Sequence, residues 1–259
     1  DITNASRRIK SSELERCNDN GVTEMSEFMI GSDGIVVAQD KGNDSLGNLS
    51  LEHLALATLA KVPQDGELVD NPYEKWSDID SSLPDREITI YGPPTTSGTR
   101  DAFEELALAA GAEEAGGYPD DYTTVRDDGP YVDSGENDNL IVKKIQSDRD
   151  AVGVFGYSFL AENDDEIKAV TLDNVEPTVD AIADGEYPVA RTLYFYTKNS
   201  HFDRVDGMRE YVDMFLSEQM IGDQGLLLDE GLIPLPKDQR EASRERLEKM
   251  EKLEMADLE

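Results

Sequence analysis

The chain has 259 residues, with 57 acidic and 24 basic side chains, and its formal net charge is −33. Such a charge repels nucleic acid and anionic membrane, which argues against a partner of either kind. Apolar runs such as Gly34–Ala38 and Thr192–Tyr196 argue against a disordered acidic chain. We therefore expect a folded protein whose carboxylate-rich surface suits high salt, because salt screens the repulsion between like charges.

The first hundred residues predict helices alternating with strands. The pattern indicates a polar helix around Ser11–Asn18, short buried strands at Phe28–Ile30 and Ile35–Val37, an amphipathic helix over Ser50–Ala60 and a strand at Glu87–Tyr91. The residues Gly31, Ser32, Asp33 and Gly34 predict an interruption between the two short strands.

The same alternation continues to the end of the chain. The predicted elements are a helix over Arg100–Ala110 ended by Gly111, an acidic loop over 112–133, a helix over Asp138–Gln146, a strand at Val152–Phe155, a short helix over Val179–Asp184, a strand at Leu193–Tyr196, a helix over Arg209–Glu218 and a charged helix from Asp238. In the last helix, Glu245 with Lys249 and Glu248 with Lys252 are spaced as ion pairs. The predicted fold class is α/β.

The strongest local signal for chemistry is the segment Gly92–Phe103. A predicted strand ends at Tyr91, a Pro/Gly loop follows, and a helix begins near Thr99. Backbone N–H groups at a helix start favour an anion. Gly98 allows close backbone approach, Ser97 and Thr99 add hydroxyl donors, and Arg100 adds a planar fork that suits a tetrahedral oxyanion. The alternative is an ordinary helix cap followed by a surface arginine.

Five blocks of sequence resemble one known family. Ser97–Leu106 is similar to the helix-start motif of the substrate-binding protein of the phosphate ABC transporter, a type II periplasmic binding protein. In the same order as in that family, further similar blocks are Asp1–Arg7, Asp33–Ala38, Glu176–Tyr196 and Gly231–Leu235.

The resemblance implies two α/β lobes that close on a dehydrated oxyanion, joined by a hinge of two crossing strands. The first lobe is predicted at 1–38 and 194–259, and the second at 39–193. Carried over by matching position, Ser6 and Arg7 are predicted to contact phosphate from the first lobe, and Ser97, Gly98, Thr99 and Arg100 from the second. The implied protein is an exported or periplasmic monomer that delivers inorganic phosphate to a membrane permease, with no cofactor, no metal and no enzymatic activity.

Two departures from the family pattern bear on selectivity. Where the best-known branch has an arginine shortly before Ser-Gly-Thr, this chain has Pro93 and Pro94, so Arg100 is predicted to take that role. Where the branch has an aspartate that accepts the phosphate proton and excludes sulfate, this chain has Arg7. The first candidate for a replacement acceptor is Asp33, and the second is Glu136. The alternative for Asp33 is an ordinary turn residue before Gly34.

The family also has a signal peptide, a first strand, a phosphate loop and a helix before the position of Asp1. We therefore expect the first lobe to be incomplete in residues 1–259, and this chain to bind phosphate poorly or not at all, although its parent binds it. Cys17 is either a free thiol or the partner of a cysteine in that segment.

Three other functions are also compatible with the sequence. One is binding of a different oxyanion, such as sulfate or molybdate, and another is a secreted phosphate scavenger or sensor without a transporter. The third is a phosphatase with Ser97 as nucleophile. It is disfavoured because no histidine lies within the motif and the chain has only His53 and His201. These two histidines, far apart in sequence, also give no metal-ligand spacing.

Overall fold

The computed structural model describes residues 1–258 and has an α/β fold, which confirms the predicted class. Its strands are β1 (Ile2–Ala5), β2 (Met25–Asp40), β3 (Asn48–Leu49), β4 (Lys61–Gln64), β5 (Glu67–Asp70), β6 (Ile90–Gly92), β7 (Tyr131–Asp133), β8 (Val152–Gly156), β9 (Ile167–Ala169), β10 (Thr171–Leu172) and β11 (Ala190–Lys198). The α-helices are α1 (Ser11–Asp19), α2 (Leu51–Thr58), α3 (Trp76–Ile79), α4 (Gly98–Phe103), α5 (Ala109–Ala115), α6 (Asp138–Ser147), α7 (Tyr157–Glu162), α8 (Val179–Ala183), α9 (Met208–Phe215), α10 (Glu218–Ile221) and α11 (Lys237–Lys249). None of the helices in this described part of the chain is both long enough and apolar enough to cross a bilayer.

The chain divides into two compact units. The first unit contains Asp1–Asp33, Ile182–Asp184 and the residues from Arg191 onward, and the second contains Gly34–Ala181 and Gly185–Ala190. The chain therefore passes between the units within β2, on both sides of Ile182–Asp184 and at the start of β11. The assignment of lobes to 1–38 with 194–259 and to 39–193 stays a prediction.

In the first unit, β1 pairs antiparallel with β11, and β11 neighbours β2. One side of these strands is covered by a cluster built on Phe28, Phe195, Val212, Leu216, Ile221 and Leu247. The rings of Phe28 and Phe195 stack with their centroids 4.9 Å apart, and aromatic pairs of this kind stabilise a core beyond their buried area.

The charged helix α11 is held to the first unit through a buried arginine. The side chain of Arg240 is only 2% exposed, and its guanidinium lies 3.0 Å from Glu218, 2.8 Å from Asp223 and 2.5 Å from the carbonyl oxygen of Leu235. The predicted pair of Glu245 and Lys249 is present at 2.9 Å. The helix ends at Lys249, so the predicted pair of Glu248 and Lys252 is wrong, and Lys252 bonds Glu24 instead.

In the second unit, the C-terminal half of β2 pairs antiparallel with β8 and β9. Strand β6 lies between β8 and β7 and runs parallel to both. The core on this sheet consists of Val36, Ala38, Ile141, Val142, Ile145, Ala151, Phe155, Leu160 and Ile167. Helices α6 and α7 contribute to it, and both are packed against β8, which lies between them in sequence.

The predicted interruption between two short strands is wrong, because β2 is continuous from Met25 to Asp40. A Cβ atom on Gly31 would lie 2.4 Å from the side chain of Leu232, so only glycine lets that leucine pack on the strand. Ser32 donates to the carbonyl of Ile233 at 2.7 Å and accepts from its N–H at 2.9 Å. Pairing with a segment two hundred residues away thus overrides the local turn signal.

The predicted helix stop at Gly111 is also wrong. Helix α4 continues without a break through a π-helical turn at Glu104–Leu108 into α5, and ends at Gly116 with a φ of 71°. A Cβ atom on Gly111 would lie 2.0 Å from the carbonyl oxygen of Leu51. Gly111 therefore marks a close contact with α2, and the loop that follows is shorter than the predicted 112–133.

We expect Gly111→Ala to lower the free energy of unfolding by at least about 2 kcal/mol, because the added methyl overlaps backbone that cannot swing aside. Alanine is the better helix former by about 1 kcal/mol, so propensity alone predicts the opposite sign. Gly98→Ala is the matched control, since a Cβ there meets no atom within 4 Å. Urea denaturation gives the free energy of unfolding of both variants. Equal effects of the two substitutions would contradict the proposed overlap with the Leu51 carbonyl.

Candidate functional site

Three parallel strands of the second unit each lead into a helix at the same edge of the sheet. Strand β6 is followed by α4, β7 by α6 and β8 directly by α7. Ligands of open α/β sheets bind outside the carboxyl ends of such strands. The carboxyl edge of β6, β7 and β8 is therefore the candidate site in this unit, and it contains the segment that sequence reasoning selected.

The helix that begins at Gly98 is capped by Ser97. The Ser97 hydroxyl accepts a hydrogen bond from the N–H of Thr99 at 3.2 Å, and the Ser97 carbonyl accepts from Asp101 at 3.1 Å. Gly98 is exposed, Ser97 and Thr99 are partly exposed, and the space above the Gly98 Cα is open for 4 Å. Three of the predicted site residues are thus together at a helix start that solvent can reach.

Arg100 lies beneath this helix start and is only 6% exposed. Its Nε donates to Glu104 at 2.5 Å, and its Nη1 donates to the carbonyl of Pro93 at 3.3 Å. The guanidinium also lies 4.4 Å above the ring of Tyr131, whose hydroxyl donates to the same Pro93 carbonyl at 2.8 Å. Nη1 therefore braces the loop before Ser97, whereas Nε is bound to Glu104 one turn further along the same helix.

Burial raises the pKa of Tyr131 to about 12, although the nearby Arg100 acts in the opposite direction. The phenol is therefore protonated at neutral pH and can donate to Pro93. Sequence reasoning missed this support for the loop, since Tyr131 lies in a segment that it assigned to an acidic loop.

A second loop, which follows β7, lies beside the first. The N–H of Ser134 donates to the carbonyl of Gly92 at 2.9 Å, and the hydroxyl of Thr96 donates to Glu136 at 2.5 Å. Lys144 on α6 donates to the Ser134 hydroxyl at 3.0 Å and lies 4.9 Å from the ring centre of Tyr91. The position of Lys144 at this edge could not be predicted from the sequence, because the residues that it contacts are ten or more positions away along the chain.

In the first unit, Ser6 and Arg7 follow β1 and are exposed. Arg7 makes a two-pronged ion pair with Glu13, with both N–O distances 2.9 Å. This pair, together with the N–H of Lys10, lowers the pKa of Glu13 to about 2. A cavity of about 360 Å³ lies alongside, lined by Thr3, Asn4, Ala5, Ser6, Arg7, Ile9, Glu13 and Tyr196.

Asp33, the first candidate for a proton acceptor, lies in an ion pair. Its Oδ2 accepts from Nε and Nη2 of Arg191 at 3.3 and 3.2 Å. The assignments of Ser6, Arg7 and Asp33 as phosphate contacts stay predictions. Among the described residues, no group of three or more His, Cys, Asp or Glu side chains is placed to hold a metal ion.

Comparison with known proteins gives a consistent set of relatives. The family model of the PBP superfamily domain matches residues 1–219. The phosphate-binding protein PstS of Staphylococcus haemolyticus is 30% identical over 224 residues, which are 85% of this chain and 62% of that protein. Protein SphX of Synechococcus elongatus is 30% identical over 243 residues, 91% of this chain and 63% of that protein. The chain thus spans less than two thirds of the length of either relative.

Solved structures share the fold. A possible phosphate binding protein from Planctomyces limnophilus is 30% identical with a TM-score of 0.77, and the match covers 97% of this chain and 81% of that one. An ABC-type phosphate transport receptor from Vibrio cholerae, 18% identical with a TM-score of 0.62, is matched over 91% of this chain and 80% of that one. The binding-protein fold that the sequence blocks predict is confirmed.

Proposed function

Because the chain belongs to the PBP superfamily, we propose that it is the phosphate-binding component of an ABC importer. The observation that carries the proposal is the solvent-facing helix start at Ser97, Gly98 and Thr99, at the carboxyl edge of three parallel strands. Relatives named for phosphate binding, with 30% identity to this chain, support the choice of ligand.

The physical basis of binding is short-range. A net charge of −33 repels an anion at a distance, so long-range attraction does not draw phosphate to this protein. Backbone N–H groups at the helix start and the hydroxyls of Ser97 and Thr99 act only at contact distance, where they replace the water around the anion. Arg100 adds positive charge just below the surface, partly balanced by Glu104.

The proposed role involves no covalent chemistry. Activation of a serine nucleophile needs an adjacent base, whereas the Ser97 hydroxyl accepts from the Thr99 N–H as a helix cap. The histidines lie elsewhere: His53 is near Asp80, and His201 is near Asp1. In the proposed role the protein is an exported monomer that releases phosphate unchanged to a membrane permease.

Titration calorimetry of the natural protein with phosphate, sulfate and molybdate tests which anion is the ligand. We expect phosphate to bind at least about 100-fold more tightly than the other two, since a site that hydrogen-bonds the ligand's OH rejects analogues without it. In a ¹⁵N-labelled sample, the amide signals of Gly98 and Thr99 are expected to shift on saturation with phosphate.

The outcomes separate the alternatives. Tighter binding of sulfate or molybdate establishes the binding protein of another oxyanion, and binding of none of the three overturns the proposal. Release of a chromogenic product from a phosphomonoester, lost on Ser97→Ala, establishes a phosphatase.

A further inference from the structure

The helix start at Ser97 offers donors, and donors alone do not distinguish phosphate from sulfate. At neutral pH phosphate carries at least one P–OH group, whereas sulfate carries no proton. A hydrogen-bond acceptor at the site therefore favours phosphate over sulfate for two reasons. It accepts a hydrogen bond from the P–OH group, and it repels the unprotonated oxygens of sulfate. An ionised carboxylate is the acceptor best suited to this task, since it has lone pairs and no hydrogen to donate.

Glu136 brings such a carboxylate to the helix start. It lies in the loop between β7 and α6, and its Oε1 accepts from the hydroxyl of Thr96, the residue directly before Ser97, at 2.5 Å. The same loop is tied to the end of β6 by the bond from Ser134 to Gly92. The position of the Glu136 carboxylate relative to Ser97 is thus set within the second unit.

Other carboxylates near this edge are engaged in the protein's own structure. Asp133 accepts from the N–H of Gly135 at 3.0 Å, and Glu104 accepts from Arg100. Asp138 is buried and faces the N–H of Gly156 at the start of α7, 3.5 Å away. Glu136 is exposed and differs from these three because its Oε1 accepts from Thr96, in the loop that leads into the helix start. Its Oε2 has no hydrogen-bond partner among the described residues.

Resting on the proposed function, we infer that Glu136 is the residue that selects a protonated oxyanion over an unprotonated one. The bond from Thr96 occupies Oε1 and orients the carboxylate, and Oε2 accepts the proton of the P–OH group. Asp33, which lies in the first unit and is paired with Arg191, is then a structural residue.

The test compares the phosphate and sulfate affinities of the variants Glu136→Gln and Asp133→Asn of the natural protein, measured by titration calorimetry. Both substitutions remove one negative charge from the same edge of the sheet. Both therefore change the affinity for phosphate and for sulfate through long-range electrostatics. Glu136→Gln also replaces the acceptor Oε2 by an amide that can donate to sulfate. We expect it to lower the ratio of phosphate to sulfate affinity by about tenfold or more, and Asp133→Asn to leave that ratio within about twofold.

A further variant, Thr96→Val, keeps the carboxylate and removes the hydroxyl that orients it. We expect Thr96→Val to lower the ratio of phosphate to sulfate affinity, but by less than Glu136→Gln does. An unchanged ratio in Glu136→Gln, or an equal loss in Asp133→Asn, overturns the assignment of Glu136 while the wild-type protein still binds phosphate. A loss of the ratio in Asp33→Asn instead returns the role to Asp33. A wild-type protein that binds neither anion overturns the proposed function itself.

Discussion

Phosphate affinity is expected to fall by about 100-fold when Gly98 is replaced by valine, because the side chain then fills the space through which the anion reaches the helix start. The loss of two charge-assisted hydrogen bonds accounts for a change of this size. The fold is expected to tolerate the substitution, since a Cβ at Gly98 meets no atom within 4 Å and its φ lies outside the left-handed region. Titration calorimetry gives the affinity, and circular dichroism checks the fold.

Gly47→Val is the matched control for this substitution. Gly47 belongs to the same unit, is exposed, has open space around its Cα and also lies outside the left-handed region. We expect phosphate binding to be unchanged in Gly47→Val. If Gly98→Val binds phosphate as tightly as the wild-type protein, the anion does not sit on the helix start and the proposed site is wrong.

The second large effect is expected from salt. Fifty-seven acidic and 24 basic side chains leave a net charge of −33, and the compact state holds these like charges closer together than the unfolded chain does. The Debye length falls from about 10 Å at 0.1 M salt to about 3 Å at 1 M, which removes most of this repulsion. We expect the midpoint of thermal unfolding to rise by roughly 10 °C over this range, which for a chain of this size corresponds to about 3 kcal/mol.

A comparison of salts separates screening from ion binding. Sodium chloride and choline chloride at equal ionic strength are expected to raise the midpoint equally, because screening depends on ionic strength and not on the identity of the cation. A midpoint that stays constant from 0.1 to 1 M would contradict the electrostatic account. A rise with sodium alone would point to specific cation binding instead.

Local features of the fold were predictable because they depend on residues close together in sequence. The cap at Ser97 satisfies an N–H two residues away, and the preceding prolines and glycine keep that segment out of a helix. Helix α6 begins at the predicted Asp138 for the same reason, with Asn137 as its cap. The predicted short helix over Val179–Asp184 is present as α8, and Gly185, with a φ of 75°, follows its end by local backbone preference.

Glycines were misread where their role depends on distant contacts. Gly31 and Gly111 resemble breaks in the sequence, yet one lies within a strand and the other within a helix. Each provides room for a group far away in sequence, Leu232 in one case and the Leu51 carbonyl in the other. A glycine needed for positive φ and a glycine needed for close packing look alike until the neighbour is known.

The amino-acid sequence by itself determined the acidic character, the alternation of strands and helices, and the donor groups at the helix start. These follow from composition and from interactions within about four residues. Only the tertiary structure decided the long-range partners of the charged groups: Arg100 with Tyr131, Asp33 with Arg191, and Glu136 with Thr96. Several of these partners are 30 or more residues apart, and folding brings them together through the packing of strands and loops. Sequence spacing does not encode which carboxylate remains available to a ligand, because that depends on which donors the fold places around each one.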